Sequence, residues 1–395
     1  MSRYSTYTSR PGDVARRRGG AVVMTSELTG GWAPRVWVGA PAPGGLALPA
    51  AHPTAAHLYS PRGVHLDASH LVVADSGNHR VLVWHGVPTS DEQPADVVLG
   101  QPDERTEGRA AGGRGPERGM AVPCGVLVHE GRLVVADAWN HRVLVWDTVP
   151  VTSDVAPDLV LGQDDPAAVE PNRGRGCAAD SMYWPFGIAV VGGRFWVADT
   201  GNRRVLGWDG GLPDHDRPAD VVLGQPDAAH REENRGGDVG PDSFRWPHDV
   251  TGTDDLLLVA DAGDHRVLGW TPHPGADGPA GTVLGQPDLR SAEEWPYGPH
   301  TGDRFRSPYA VALLDGTLAV ADTANNRILL WDGVPADGRA ADHVLGQPSF
   351  AANGENRWSA VDRDTLCWPY GLSLHGDRLA VADSGNNRVM LWGRS

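Results

Sequence analysis

The chain has 395 residues, of which 51 are Gly, 32 are Pro and 15 are Trp, and its formal net charge is −16. All 34 basic residues are Arg, which excludes a Schiff-base lysine and a phosphate-binding loop with its usual Lys. The acidic balance argues against nucleic acid as a partner. The sequence contains no run of about 18 apolar residues, so it predicts no membrane-spanning segment.

Residues 1–28 are predicted to be a disordered N-terminal arm. Three consecutive Arg residues in it are followed by Gly-Gly-Ala-Val-Val-Met-Thr-Ser-Glu, which lacks the apolar core of an export signal. Met24 is an alternative start. Cys124, Cys177 and Cys367 are too few, and odd in number, for a disulfide framework. We therefore expect a cytoplasmic protein with reduced thiols.

The chain contains six similar copies of one sequence motif. The first copy, at residues 71–84, reads Leu-Val-Val-Ala-Asp-Ser-Gly-Asn-His-Arg-Val-Leu-Val-Trp. An Arg follows the central Asp by five residues and a Trp follows it by nine. The central Asp residues, spaced by 62, 62, 62, 61 and 61 positions, are Asp75, Asp137, Asp199, Asp261, Asp322 and Asp383. The Arg residues are Arg80, Arg142, Arg204, Arg266, Arg327 and Arg388. The Trp residues are Trp84, Trp146, Trp208, Trp270, Trp331 and Trp392.

Each unit contains four short β-rich runs bounded by Gly, Pro, Asn and Asp, which is typical of antiparallel strands joined by turns. Four strands repeated six times predict an all-β, six-bladed β-propeller over residues 29–395. The last unit ends before its fourth strand, and residues 34–41 match that missing strand in register. We therefore expect the N-terminal strand to complete the sixth blade and close the ring.

The motif Ala-Asp-Ser-Gly-Asn-Asn-Arg-Val at residues 382–389 resembles the NHL-repeat family, and the resemblance covers roughly residues 33–394. It implies a propeller of NHL type. The family includes RNA-binding and protein-binding modules, and also the lyase half of peptide-amidating enzymes. The fold by itself does not choose among these functions.

Alternating strand direction places the start of each first strand, the Asp-to-Arg turn and the connection to the next blade on one face, here called the top face. Five connections each span 22 positions from a Gln to a Pro, and they either roof this face or form part of the blades. The repeated Asp, Asn and Arg are expected to be structural because they recur in the blades. The six repeated Trp residues are expected to pack between blades.

The residues that follow each blade-opening Pro differ between blades and should surround the mouth of the central channel. These ring residues are Arg62, Cys124, Phe186, His248, Tyr309 and Tyr370. At the next position Asp249 stands among Gly and Ala residues. Convergent polar groups at a concave site predict ligand binding, and the alternative is a wet channel wall without a ligand.

Chemical roles follow from the residue types. His248 with Asp249 could act as an acid–base pair, with Tyr309 or Tyr370 as proton donor. Arg62 would bind a carboxylate or phosphate. Cys124 is either a nucleophile or a small buried thiol.

Further ligand contacts are predicted in the connections. Trp295, Tyr297 and His300 follow the fourth blade, and Arg105, Arg109, Arg114 and Arg118 form a local basic cluster after the first. A solvated loop is the alternative for that cluster.

Metal binding is a weaker hypothesis. The segment Trp-Pro-His-Asp at residues 246–249 is similar to the segments that supply zinc ligands in the amidating lyase, but that resemblance implies three such His and only His248 matches. The lyase activity is therefore not carried over. Cys124 and His248 could bind zinc with His52, His57 or His300, although no ligand spacing supports it.

The sequence thus predicts a cytoplasmic, monomeric propeller that binds a small molecule or peptide on its top face. The alternative is an enzyme (a lyase, hydrolase or isomerase) acting at the channel mouth. No cofactor is assigned.

Overall fold

A computed structural model describes residues 26–40, 52–294, 298–336 and 338–395. In these residues the chain forms six four-stranded antiparallel sheets, which are the blades of a β-propeller. The predicted all-β propeller with six blades is confirmed. No helix in these ranges is long and apolar enough to cross a membrane.

The strands are numbered in chain order, and each blade is given from the channel outward. The first two blades are β2 (Gly63–Leu66), β3 (His70–Asp75), β4 (Arg80–His85) and β5 (Val97–Leu99), then β6 (Pro123–His129), β7 (Arg132–Asp137), β8 (Arg142–Trp146) and β9 (Leu159–Leu161). The next two are β10 (Pro185–Val191), β11 (Arg194–Asp199), β12 (Arg204–Asp209) and β13 (Val221–Leu223), then β14 (Pro247–Gly252), β15 (Leu257–Asp261), β16 (Arg266–Trp270) and β17 (Thr282–Leu284). The last two are β18 (Pro308–Leu314), β19 (Thr317–Asp322), β20 (Arg327–Asp332) and β21 (His343–Leu345), then β22 (Pro369–His375), β23 (Arg378–Asp383), β24 (Arg388–Arg394) and β1 (Trp32–Val38).

The N-terminal strand closes the ring as the sequence predicts. Strand β1 pairs with β24 in antiparallel register from Trp32 opposite Arg394 to Val38 opposite Val389. The inner strands β2 and β22 are in contact, so the first and last blades are neighbours. The sixth blade therefore combines an N-terminal strand with three C-terminal strands, and a ladder of backbone hydrogen bonds joins them.

Regular structure begins before the predicted end of the N-terminal arm at residue 28. A single helical turn, α1 (Ser26–Thr29), precedes β1 and packs on β21. The Leu28 side chain packs against the core between the fourth and fifth blades. The rest of the predicted arm, residues 1–25, lies outside the described residues.

The repeated Trp residues pack between blades, as predicted. Each of six buried apolar clusters lies between two neighbouring blades and contains one Trp from a third strand. Trp84, for example, packs with Val389 and Leu391 across the closure between the sixth and first blades. The core is thus six interfaces rather than one centre.

The repeated Asp and Arg form buried ion pairs that hold the connections in place. Arg204 Nε donates to Asp199 Oδ2 at 2.7 Å, and both side chains are fully buried. The Arg204 Nη2 group donates to the carbonyls of Ala178 and Ser181 in the preceding connection. Nη1 donates to Ala228 in the following connection. The same Asp–Arg pair occurs in the other blades, so the connections belong to the blade framework.

Short 3₁₀ turns separate the second and third strands. They are Ser76–Asn78, Ala138–Asn140, Thr200–Asn202, Ala262–Asp264, Thr323–Asn325 and Ser384–Asn386. The residue after each turn has a left-handed φ, and in five blades its side chain accepts the backbone N–H just before the next blade's opening Pro. The acceptors are His79, His141, His265, Asn326 and Asn387. Turn His residues therefore link blades.

In the described parts of the connections, three further 3₁₀ turns and one left-handed turn occur. The 3₁₀ turns are Pro171–Gly174, Glu233–Gly236 and Glu355–Trp358. The segment Arg109–Gly113 is a helical turn with left-handed φ at Ala110, Ala111 and Gly112.

Candidate functional site

A cavity of about 270 Å³ occupies the centre of the ring and is lined by the inner strands of the six blades. Its lining includes all six ring residues predicted from the sequence, and also Asp249. The residues converge because each follows the Pro that begins or immediately precedes an inner strand. The cavity has room for several ordered water molecules or for one small molecule. It suits a small molecule better than a folded peptide.

Five of the ring residues touch one another in sequence around the channel. The rings of Phe186 and His248 lie 4.5 Å apart between centroids, and those of His248 and Tyr309 stack at 4.2 Å with 13° between their planes. Tyr309 and Tyr370 are 4.6 Å apart and joined by a hydrogen bond between their side chains. The Arg62 Cζ lies 5.2 Å from the centroid of the Tyr370 ring. These planar side chains therefore form a continuous part of the lining of one cavity.

Small residues next to the ring residues allow the inner strands to approach closely. A Cβ on Gly63 would lie 1.7 Å from the carbonyl oxygen of Cys124, and one on Gly371 would lie 2.3 Å from that of Arg62. Glycine is required here by contact with the neighbouring blade. The ring residues are consequently fixed by backbone packing.

Asp249 fills the corresponding position in the fourth blade and bridges two blades. Its Oδ2 accepts the backbone N–H of Val311 at 3.0 Å, and its Oδ1 accepts that of Val250 at 2.9 Å. A Cβ on Gly187 would lie 2.4 Å from Oδ1, so this carboxylate has room only beside Gly. Burial raises the pKa of Asp249 to about 7, although the two backbone hydrogen bonds oppose that shift. The carboxyl group is therefore a structural bridge that titrates near neutral pH.

His248 is held by ring stacking. Burial, assisted by the positive charge of Arg62, lowers its pKa to about 3, so the imidazole is neutral at pH 7. No protein group in the described ranges hydrogen-bonds its ring nitrogens, whose polar edge is left for a ligand or water. The predicted acid–base pairing of His248 with Asp249 has no hydrogen bond to carry it, because both Asp249 oxygens are directed to backbone N–H groups.

Arg62 is the cation of the ring. Its Nε is buried without a hydrogen-bond partner, and none of its nitrogens forms an ion pair with a carboxylate in the described part of the chain. Although burial works against the charge, the neighbouring Cys124 and Tyr370 raise the pKa of Arg62. A permanently charged guanidinium thus lines the cavity, with a hydrogen bond to Cys124 and without a carboxylate partner in the described residues.

Cys124 is a buried thiol beside Arg62. Its Sγ donates to the carbonyl of Val122 at 3.4 Å, and burial raises its pKa to about 11 despite the nearby guanidinium. A thiol that stays protonated is a poor nucleophile. The sequence alternative of a small buried thiol fits these contacts better than a nucleophilic Cys.

Of the three predicted contacts in the connection after the fourth blade, the structure describes only His300. Trp295 and Tyr297 lie outside the described residues. The His300 imidazole Nε2 lies 3.3 Å from Asn353 Nδ2, away from the lining of the cavity. His57 Nδ1 hydrogen-bonds Thr54 Oγ1 instead. Within the described ranges no three His, Cys, Asp or Glu side chains are grouped to hold a metal ion, so the structure gives Cys124 and His248 no third ligand.

The predicted basic cluster is partly neutralised by carboxylates. Arg114 pairs with Asp154 at 3.1 Å, and the largely exposed Arg105 lies 3.7 Å from Glu104. Arg109 lies with its Cζ 4.7 Å from the ring centroid of Trp139. The solvated-loop alternative describes this segment better than an anion-binding patch.

Sequence reasoning missed a set of exposed Trp residues around the channel mouth, here called the aromatic rim. Its members are between 36% and 41% exposed and are Trp139, Trp184, Trp246 and Trp368. Three of them directly precede a blade-opening Pro, a signal that the sequence displayed. Trp139, from the 3₁₀ turn of the second blade, joins this set by stacking on Trp184, with 6.2 Å between ring centroids.

Among protein-family models and curated proteins, none matches this chain. Solved structures do match. The chain is similar to the WD40 β-propeller domain of Doa1, with a TM-score of 0.45 and 11% identity over 92% of this chain and 98% of that one. It is also similar to an auxiliary nutrient binding protein from Bacteroides thetaiotaomicron, with a TM-score of 0.51 and 10% identity over 85% of this chain and 69% of that one. At this identity the second likeness supports the propeller fold alone.

Proposed function

We propose that this propeller binds a small molecule through an anionic group in the central channel, with Arg62 as the anchor. The observation that carries the proposal is the Arg62 guanidinium, which is largely enclosed, has a buried Nε without a partner and lacks an ion pair in the described residues. A buried, unpaired charge is unfavourable for folding alone, and a carboxylate or phosphate would satisfy it. The neutral His248 and the stacked Tyr rings supply further polar and planar contacts.

Family and location are part of the proposal. An NHL-type propeller is supported by the Asp–Arg motif, which forms a buried ion pair in the blades. The three cysteines are unpaired, which supports a reducing compartment such as the cytoplasm. We expect the protein to bind its ligand as a monomer.

Calorimetric titration with acetate, benzoate and phosphate tests the anchor. The wild-type protein is expected to bind at least one of these anions, and Arg62→Gln is expected to weaken binding about 10- to 100-fold, the loss of one charge-assisted hydrogen bond of roughly 1.5–3 kcal/mol. Arg105→Gln is the matched control, because Arg105 is exposed and outside the channel. Equal affinities for the wild type and Arg62→Gln would refute the anchor.

An enzyme acting in the channel is the second candidate, favoured by the pKa of Asp249 near 7 in a lined cavity. In that case His248→Ala would abolish turnover while the melting temperature stays close to that of the wild type. If a stable His248→Ala variant binds the anion and turns over substrate at the same rate as the wild type, this candidate is removed.

A further inference from the structure

The aromatic rim is not required by the repeat. Where three blades place Trp before the opening Pro, the others have Ser60, Val122 and Ser307. Trp184 and Trp368 adopt φ values of 54° and 51°, a region that is unfavourable for a bulky side chain. Large apolar side chains left exposed together around an opening mark a binding surface.

Trp139 is accommodated by a compensating change within its own blade. The equivalent turn position is Gly or Ala in the other blades, and a Cβ on Gly201 would lie 2.6 Å from the ring of Tyr183. In the second blade the residue matching Tyr183 is Ala121, which leaves space for an indole. Trp139 then stacks on Trp184 of the next blade, with 6.2 Å between centroids and 27° between planes.

The chemistry of the rim combines exposed aromatic planes with charged edges. Arg109 lies against Trp139, Arg245 Cζ lies 5.3 Å from the Trp246 ring, and Trp368 Nε1 donates to Glu355. A pyranose has an apolar C–H face bordered by hydroxyl groups, which matches such a surface.

The rim continues into the channel. Trp184 and Phe186 are two positions apart, with Pro185 between them, so the backbone from one to the other spans at most about 7 Å. Arg62 and Phe186 line the same cavity, so a ligand with one end beside Arg62 can extend past Phe186 toward Trp184, on which Trp139 stacks. The cavity of about 270 Å³ has room for one sugar ring at that end.

We propose that the channel and the aromatic rim bind an acidic saccharide of at least two units. The carboxylate of the terminal sugar lies at Arg62, and the next sugar stacks on Trp139 and Trp184. This inference rests on the function proposed above and names its ligand class.

Calorimetry with glucuronate, galacturonate and mannuronate, their linear trimers, and neutral galactose tests it. The double variant Trp139→Ala, Trp184→Ser uses residues that the chain itself has at equivalent positions, Ala324 and Ser307. We expect it to weaken binding of the preferred trimer at least ten-fold while leaving the matching monomer unchanged. Trp358→Ala is the control, since Trp358 is 79% exposed on the top face but does not border a ring residue.

The outcomes separate this inference from the proposed function. Binding of acetate or phosphate at Arg62 without binding of any uronate overturns the saccharide and leaves the anion anchor standing. A double variant that behaves like Trp358→Ala overturns the role of the rim. If no acid binds to the wild type, both proposals fail.

Discussion

Asp249 illustrates how one residue can join structure to ligand chemistry. Its counterparts in the other blades are Gly or Ala, whereas its carboxylate links the inner strands of the fourth and fifth blades. Because burial raises its pKa to about 7, the channel wall gains a negative charge as the pH rises through neutrality. That charge would oppose an anionic ligand in the same cavity.

We therefore predict that acetate or uronate affinity falls several-fold as the pH rises from about 6 to 8. His248 does not contribute in this range, because its pKa is about 3. Asp249→Gly, which restores the residue found in four other blades, should show a flat profile. Calorimetry at several pH values measures both, and a wild-type profile as flat as that of the variant would contradict the prediction.

The candidate site was predictable in position but not in interactions. The offset from each blade-opening Pro located Arg62, His248 and the two Tyr residues on one channel. It could not show that both oxygens of Asp249 would be directed to backbone N–H groups, because that bond depends on the register between blades. The Trp before three of the blade-opening Pro residues was visible in the sequence, but its exposure depends on how the neighbouring connections pack.

At the scale of the structural element, the buried Asp–Arg pairs hold the top-face connections. Removing one partner of such a pair leaves an uncompensated buried charge, which destabilises a protein by about 3–5 kcal/mol. Arg204→Met is predicted to lower the free energy of unfolding by about that amount. Arg217→Met is the control, since its ion pair with Asp220 is part-exposed and of a kind that contributes roughly 0–1 kcal/mol. Urea unfolding distinguishes them, and similar losses in the two variants would be evidence against the framework role.

The closing strand β1 is a second element whose contribution can be isolated. Deletion of residues 1–31 removes α1 but keeps β1, whereas deletion of residues 1–40 also removes the ladder with β24 and uncovers Trp392. We predict a much lower melting temperature for the longer deletion. Equal melting temperatures would refute closure by β1.

The six-bladed architecture followed from the repeat because each unit carries its own turn residues and strand periodicity. The matched strand at residues 34–41 also predicted closure, although the observed strand is Trp32–Val38. Helix α1 was not predicted, because a single turn carries too little periodic signal. Its position depends on packing against β21 in a distant part of the chain.

At the scale of the whole molecule, stability lies in the interfaces between blades, and several of these contain a neutral His. His141 Nδ1 accepts the backbone N–H of Trp184, and burial lowers its pKa to about 4. The pKa values of His79 and His265 are also lowered, chiefly by burial. A His that must stay neutral stabilises the fold fully above its unfolded pKa of about 6.5, and that contribution is lost as the pH falls toward 4.

We predict that the free energy of unfolding falls between about pH 6.5 and 4, and that His141→Asn makes this fall shallower. Asn occupies the same left-handed position in two other blades and makes the same inter-blade hydrogen bond. Urea titrations at a series of pH values test this. A slope unchanged by His141→Asn would show that other groups govern the acid sensitivity.

The central claim is that the channel holds an anion at Arg62, and locating an anion in a crystal tests it most directly. Crystals of the wild type and of Arg62→Gln, soaked in selenate, would be compared by anomalous diffraction. The account predicts a selenium peak in the channel within hydrogen-bonding distance of the Arg62 guanidinium, absent from the variant. Selenium peaks only at exposed arginines such as Arg105, with none in the channel, would contradict it.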